Sequence, residues 1–232
     1  MVDRKILRLS AVLLAVGFFF YVLIGLLHPD GPANNHRVVF AEYASSSSWT
    51  AVHLGQFAGM AVIIAGLLVL YFALHFPTGV AASVARLGAV SAAVALGLYG
   101  VLQAVDGVAL KQAVDAWASA PDAEKAARVA GAETIRWLEW GTRSYQSFMF
   151  GLTLILLGSA AALTAGLPRP LGYLMGLSGV AYIVQGWVLG SEGFSGTDTF
   201  AILAGYVLIL AWIIWLVVVA WRTKGSSRAP TR

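Results

Sequence analysis

Six stretches of the chain, at about 6–27, 51–75, 86–110, 137–165, 171–190 and 199–221, are apolar on most faces rather than at alternate positions. At about 20 residues per crossing of a ~30 Å hydrocarbon core, such runs read as membrane-spanning helices and not as barrel strands. The pattern predicts an all-α, polytopic transmembrane bundle of six spans. It forms a single domain over residues 1–224, with the polar residues 225–232 as a disordered cytoplasmic tail. Two connections are long. Residues 28–50 carry Pro29, Pro32, Asn34, Asn35 and the run Ser45 to Ser48, while residues 111–136 are rich in charge. Ser119, Pro121 and Asp122 predict the start of a short surface helix leading into span four. The serine run predicts a cap for span two, with Trp49 at the level of the lipid head groups.

Composition sharpens this picture. Of 232 residues, 59% are hydrophobic and 11% charged, against roughly 25% charged in soluble domains. The net charge of +4 comes from bases in short caps between apolar runs, which excludes a nucleic-acid partner. The absence of cysteine removes disulfides, thiolate metal sites, iron–sulfur ligation and thiol nucleophiles. If the amino terminus is cytoplasmic, the inner segments hold Arg4, Lys5, Arg8, Arg86, Arg169, Arg222, Lys224, Arg228 and Arg232. The outer loops then hold Arg37, Lys111, Lys125, Arg128 and Arg136 together with most of the acids. The positive-inside rule therefore places both termini in the cytoplasm of a cell with this protein in its inner, or plasma, membrane. The first apolar run is too long for a secretory signal and lacks a small-residue cleavage site, so it reads as a retained span.

Residues three and four apart share a helix face, and four spans carry a polar stripe. Span two presents Trp49, His53, Gln56 and Met60; span three presents Tyr99, Gln103 and Asp106. Span four presents Arg136, Glu139, Arg143 and Gln146; span five presents Ser178, Tyr182 and Gln185. All fall in the outer half of the bilayer, whereas the inner half is aliphatic, which predicts a cavity open outside and closed below. Similar spacings of His53/Gln56 with Arg143/Gln146, and of Tyr99/Gln103 with Tyr182/Gln185, suggest three tandem helical hairpins.

Ionisable groups inside spans are costly and tend to be functional. Asp106, Glu139 and Arg143 are expected to pair: Glu139 with Arg143 along one helix, Asp106 approaching Arg143 from span three or staying free for proton transfer. His28 and His53 sit at similar depths, so their imidazoles would meet and, with Glu42 or His36, suit a zinc or copper ion or a haem. No HxxxH or HExxH spacing is present, and neither metal nor cofactor is assigned. No lysine lies deep in a span, which removes a retinal pigment. The pairs Gly55/Gly59, Gly172/Gly176 and Gly186/Gly190 predict close helix packing. Trp137 and Trp140, flanking Glu139, are the tryptophans placed to form an aromatic cage.

The stretch Pro170 to Tyr182, the stretch Gly205 to Trp212 and the segment Trp49 to Gly59 resemble small bacterial multi-pass membrane proteins of unknown function. The resemblance covers about a third of the chain and implies six spans in a bacterial inner membrane, with no activity to carry over. The residues themselves point to an outward-facing polar pocket that binds a small hydrophobic or amphiphilic molecule or a lipid head group. Gln56, Gln103, Arg143, Gln146, Tyr182 and Gln185 would bind it. In one alternative the same pocket is an acid–base enzyme for an isoprenoid-like substrate, with Asp106 or Glu139 as acid and His53 as base. In another the chain is a non-catalytic subunit packed within a larger membrane complex.

Overall fold

The computed structural model describes residues 2–29, 31–76 and 78–222, so the tail expectation for 225–232 lies outside the described residues. Among these residues every element is helical: α1 (Arg4–Gly25), α2 (His36–Ser45), α3 (Trp49–Ala73), α4 (Val80–Ala104), a π-helical segment (Val105–Leu110), α5 (Lys111–Ala118), α6 (Asp122–Ala162), α7 (Arg169–Glu192) and α8 (Gly196–Arg222). Six of the helical rods are long and apolar enough to cross a membrane. Their outer faces expose Leu9, Val16, Phe19, Val90, Val184 and Val207, the large apolar surface a lipid-facing wall requires.

The six rods close into a ring in chain order: α1 on α3, α3 on α4, α4 on α6, α6 on α7, α7 on α8, and α8 back on α1. Each successive hairpin packs as a pair, yet the most extensive interface is α6 on α7, between the second and third hairpins. The cause is a seam of glycines. A Cβ on Gly158 would stand 2.6 Å from the Gly172 carbonyl oxygen, and one on Gly179 would stand 2.5 Å from that of Gly151. Gly186 likewise faces the Ser144 carbonyl, and the Ser144 hydroxyl donates to the Gly186 carbonyl at 2.6 Å. Small residues let two backbones touch where lipid offers no hydrophobic drive for helices to associate. The working spacing is seven, through 151/158 and 172/179/186. Of the four-residue pairs read from the sequence, Gly186 and Gly190 both meet Ser144, and Gly172 meets Gly158, while Gly176 has nothing near its absent Cβ. Gly55 and Gly59 do meet α1, at Ile24 and Tyr21.

Inside the ring lies an aliphatic and aromatic core including Leu14, Ile64, Leu67, Leu154, Met175 and Trp212. The termini end is tied by Asp3, which caps α1 through Lys5 N and Ile6 N and donates its own backbone N–H to the Ala73 carbonyl. At the opposite end α2, α5 and the start of α6 form a second, smaller core of Val39, Phe40, Tyr43, Trp49, Leu110, Val114, Val129 and Ala132.

That second core corrects three expectations. Residues 111–136 are helical almost throughout, and α6 is one 41-residue rod rather than a short surface helix followed by a span. At 1.5 Å per residue it is about 60 Å long, twice the hydrocarbon thickness. The Ser119 hydroxyl donates back to the Asp115 carbonyl, closing α5 instead of capping α6. Ser48 precedes α3 without a side-chain cap bond. Trp49, the first residue of α3, is fully buried inside the protein rather than turned outward, its indole N–H donating to the Asp106 carbonyl at 3.0 Å.

Candidate functional site

Between the main core and the upper cluster, away from the termini, lies a cavity of about 440 Å³, within the ~300–1,000 Å³ range of small-ligand sites. Its floor is tyrosine. The Tyr99 hydroxyl donates to that of Tyr21 at 3.3 Å, and the Tyr206 ring meets Tyr21 edge-on. Below the floor the aliphatic core continues, so the space is closed toward the termini end. Gln56, Gln103, Asp106, Arg136, Glu139 and Arg143 line the walls.

Asp106 reaches this place through the π-helical segment. A π turn admits one extra residue and often marks a functional position. Two contacts hold it: the Trp49 indole on the Asp106 carbonyl, and Gly107, whose Cβ would stand 2.7 Å from that of His53. A side chain at 107 would push α3 away. With glycine there, His53 Nε2 comes to 3.1 Å from Asp106 Oδ2. The predicted trio is therefore divided differently. Asp106 faces His53, Glu139 is bonded to Arg136, one turn earlier on α6, and no ion pair joins Arg143 to either carboxylate. Spacing alone allows Glu139 to take a base at i−3 or i+4, and the fold selects i−3 because Tyr43 and Phe194 clamp the Arg136 guanidinium. Its Cζ lies 5.5 Å from the Tyr43 ring centre and 4.7 Å from that of Phe194.

Arg143 is the cation left over. Its Cζ lies 5.2 Å from the Phe194 ring centre, and among the described residues no carboxylate comes within ion-pair distance of it. Phe194 is positioned by two devices. Gly193 has a φ of 69°, in the region glycine tolerates, and a Cβ there would collide with Trp140. Asn34 then clamps the turn, its Nδ2 donating to the Glu192 carbonyl and its Oδ1 accepting from Phe194 N.

His28 and His53 do meet, with ring centres 5.3 Å apart. Their neighbour is Asp106, however, since His36 turns to Glu133 at 3.3 Å. Burial lowers the His28 pKa, against the opposing pull of Asp106, and so favours neutral imidazole. Burial likewise raises the Tyr43 phenol, with Arg136 opposing. Trp137 points outward and Trp140 packs on His36 and Phe194, so the two form no cage around Glu139.

Of the residues proposed from sequence, the cavity gathers Gln56, Gln103, Asp106, Glu139 and Arg143, with His53 directly behind Asp106. Gln146, Tyr182 and Gln185 are buried outside it. Tyr182 packs edge-on against Phe150 at 4.8 Å, in the core below the floor. Sequence reasoning missed Tyr21 on α1 and Tyr206 on α8, and Phe194 in a turn. Tyr21 and Tyr206 are single polar atoms in apolar runs, and a turn residue has no periodicity to read.

No curated protein and no solved structure matches the chain. Residues 6–220 match the family model described as Domain of unknown function (DUF4386), and the chain, a membrane-spanning helical protein, belongs to that family.

Proposed function

We propose that the cavity binds the acidic head of a small amphiphile or lipid, with Arg143 as its anion receptor and the tyrosine floor and Gln56 and Gln103 as hydrogen-bonding partners. The observation that carries this reading is the Arg143 guanidinium, which lines the cavity with no carboxylate of the described residues at ion-pair distance, while its neighbour Arg136 is neutralised by Glu139. A guanidinium presents a planar fork matched to carboxylate or phosphate. Native mass spectrometry in mild detergent, with phosphatidic acid and a single-chain fatty acid offered separately, tests it and tells the two acid classes apart. The wild-type protein is expected to retain one acidic molecule, and Arg143→Gln to weaken retention about 10–100-fold, the value of a charge-assisted hydrogen bond. Equal retention by both proteins would refute the reading.

The charge asymmetry supports an orientation in a bacterial inner membrane with both termini in the cytoplasm and the cavity toward the outside. Because the chain has no cysteine, a single Ala123→Cys, on an exposed turn of α6, reports the side directly. A membrane-impermeant maleimide should label it in intact cells. Labelling only after lysis would reverse the orientation.

A further inference from the structure

Beside the anion-receptor wall, the two imidazoles and Asp106 bring three metal-ligating groups together. A backbone carbonyl only accepts, so the ring nitrogen facing it must carry the proton. His53 Nδ1 lies 2.8 Å from the Trp49 carbonyl, and His28 Nδ1 lies 2.8 Å from the Pro29 carbonyl. In their neutral form both rings therefore present the lone pair of Nε2. His53 Nε2 sits 3.1 Å from an Asp106 carboxylate oxygen, an edge that a ring proton or a shared metal ion can bridge. The second carboxylate oxygen, Asp106 Oδ1, is buried without a hydrogen-bond partner, a costly state that a cation held among the three groups would relieve.

One donor atom from each of His28, His53 and Asp106 lies within 4.8 Å of the others. In a tetrahedral zinc site with bonds near 2.0–2.1 Å, donors stand about 3.3 Å apart. The His53–Asp106 edge is already that short, and His28, in the connection just past α1, has the smaller constraint on its position. Zinc-bound histidines characteristically donate their second ring nitrogen to a backbone carbonyl or carboxylate, which fixes the ring. Both histidines here are held in that manner.

We propose that His28, His53 and Asp106 form a binding site for a divalent transition-metal ion, with Zn²⁺ as its occupant. Three protein ligands leave the fourth position of a tetrahedral ion open. His28 and Asp106 both line the cavity, so that position faces the space in which a ligand's acidic group or a water would sit. The two nitrogens and one carboxylate oxygen suit zinc and exclude sites built on thiolate. This inference goes beyond the anion reading and does not depend on it.

The test uses the full chain, purified in mild detergent and stripped with a chelator, without any added lipid. Competitive titration with Zn²⁺ is expected to show one site per chain, and Co²⁺ is expected to give the intense visible absorption of a tetrahedral ion. His28→Ala, His53→Ala and Asp106→Asn should each weaken Zn²⁺ binding by more than the roughly 10–100-fold that loss of a supporting second-layer partner produces. His36→Ala, which removes the histidine that turns to Glu133, should leave it unchanged. Should His53→Ala or Asp106→Asn fail to fold, His28→Ala decides the matter, since His28 lies outside the helices. The absence of a stoichiometric site, or equal Zn²⁺ affinity in wild type and His28→Ala, would overturn the proposal. Zinc binding is measured without lipid, and the acidic-ligand retention of wild type and Arg143→Gln is to be repeated on the same chelator-stripped protein, so each reading fails separately.

Discussion

Arg136→Leu should destabilise the protein by about 3–5 kcal/mol, the expected consequence of removing one partner from a buried ion pair. The Glu139 carboxylate is 1% exposed and Arg136 2%, so neither finds water when the other is lost. The stranded carboxylate lies among Tyr43, Asp106 and the cavity wall, without a second base at bonding distance. Adding Glu139→Leu should recover most of the loss, since a buried pair replaced as a whole by apolar side chains is often close to neutral. Thermal unfolding in detergent of the wild type, both single variants and the double variant gives the coupling energy directly. The corresponding cycle on Glu139 and Arg143 should show weaker coupling, because no ion pair joins them. A strong Glu139–Arg143 coupling with an additive Arg136–Glu139 pair would mean that the pairing on α6 runs the other way.

The second large effect belongs to the α6–α7 seam. Gly158→Ala is expected to cost about 3 kcal/mol, the upper end of ordinary overpacking, because the new methyl meets the Gly172 carbonyl and Gly176 N at 2.6 and 2.7 Å. Side chains can rotate aside. Backbone in a helix cannot, so the two helices must separate where Gly158 meets Gly172 and Gly176. Gly176→Ala is the internal control. Nothing lies within 4 Å of its added carbon, and alanine is the better helix former by about 1 kcal/mol, so this variant should be neutral or slightly stabilised. If both substitutions are equally harmless, α6 and α7 do not approach as closely as the seam implies.

These two predictions also mark what is legible in a sequence of this kind. The six rods were readable because a continuous apolar run long enough for a bilayer has few other structures available. The small residues were readable as packing residues, but the seven-residue period of the α6–α7 seam was not, since spacings of four and seven both occur in the same glycine-rich helices and both are used. Residues 111–136 misled because their charge resembles a loop, while in the fold their apolar positions Val114, Val129 and Ala132 complete a core with α2. The site was half legible. Asp106, Glu139, Arg143, His53, Gln56 and Gln103 stood out as polar atoms in apolar surroundings, and they do gather. Their partners did not stand out. Glu139 has bases on both sides at helical spacing, and which one it takes depends on Tyr43 and Phe194, which come from distant segments. His28 follows the end of a span, where no periodicity fixes direction, and it comes beside Asp106 only because α1, α3 and α4 neighbour one another in the ring.

The π-helical segment at Val105–Leu110 has a consequence for chain length. One additional residue in a helical turn rotates everything beyond it by about 100° relative to an uninterrupted α-helix. That rotation lets a single rod serve two cores: Tyr99 and Leu102 face the main core inside the ring, and Leu110 and Val114 face the smaller cluster with α2. Deleting one residue between 105 and 110 would restore regular winding and turn Leu110 and Val114 away from α2, with every side chain retained. The residue count of this segment is therefore under the same structural constraint as its chemistry, and a change of length here is more damaging than most changes of residue identity.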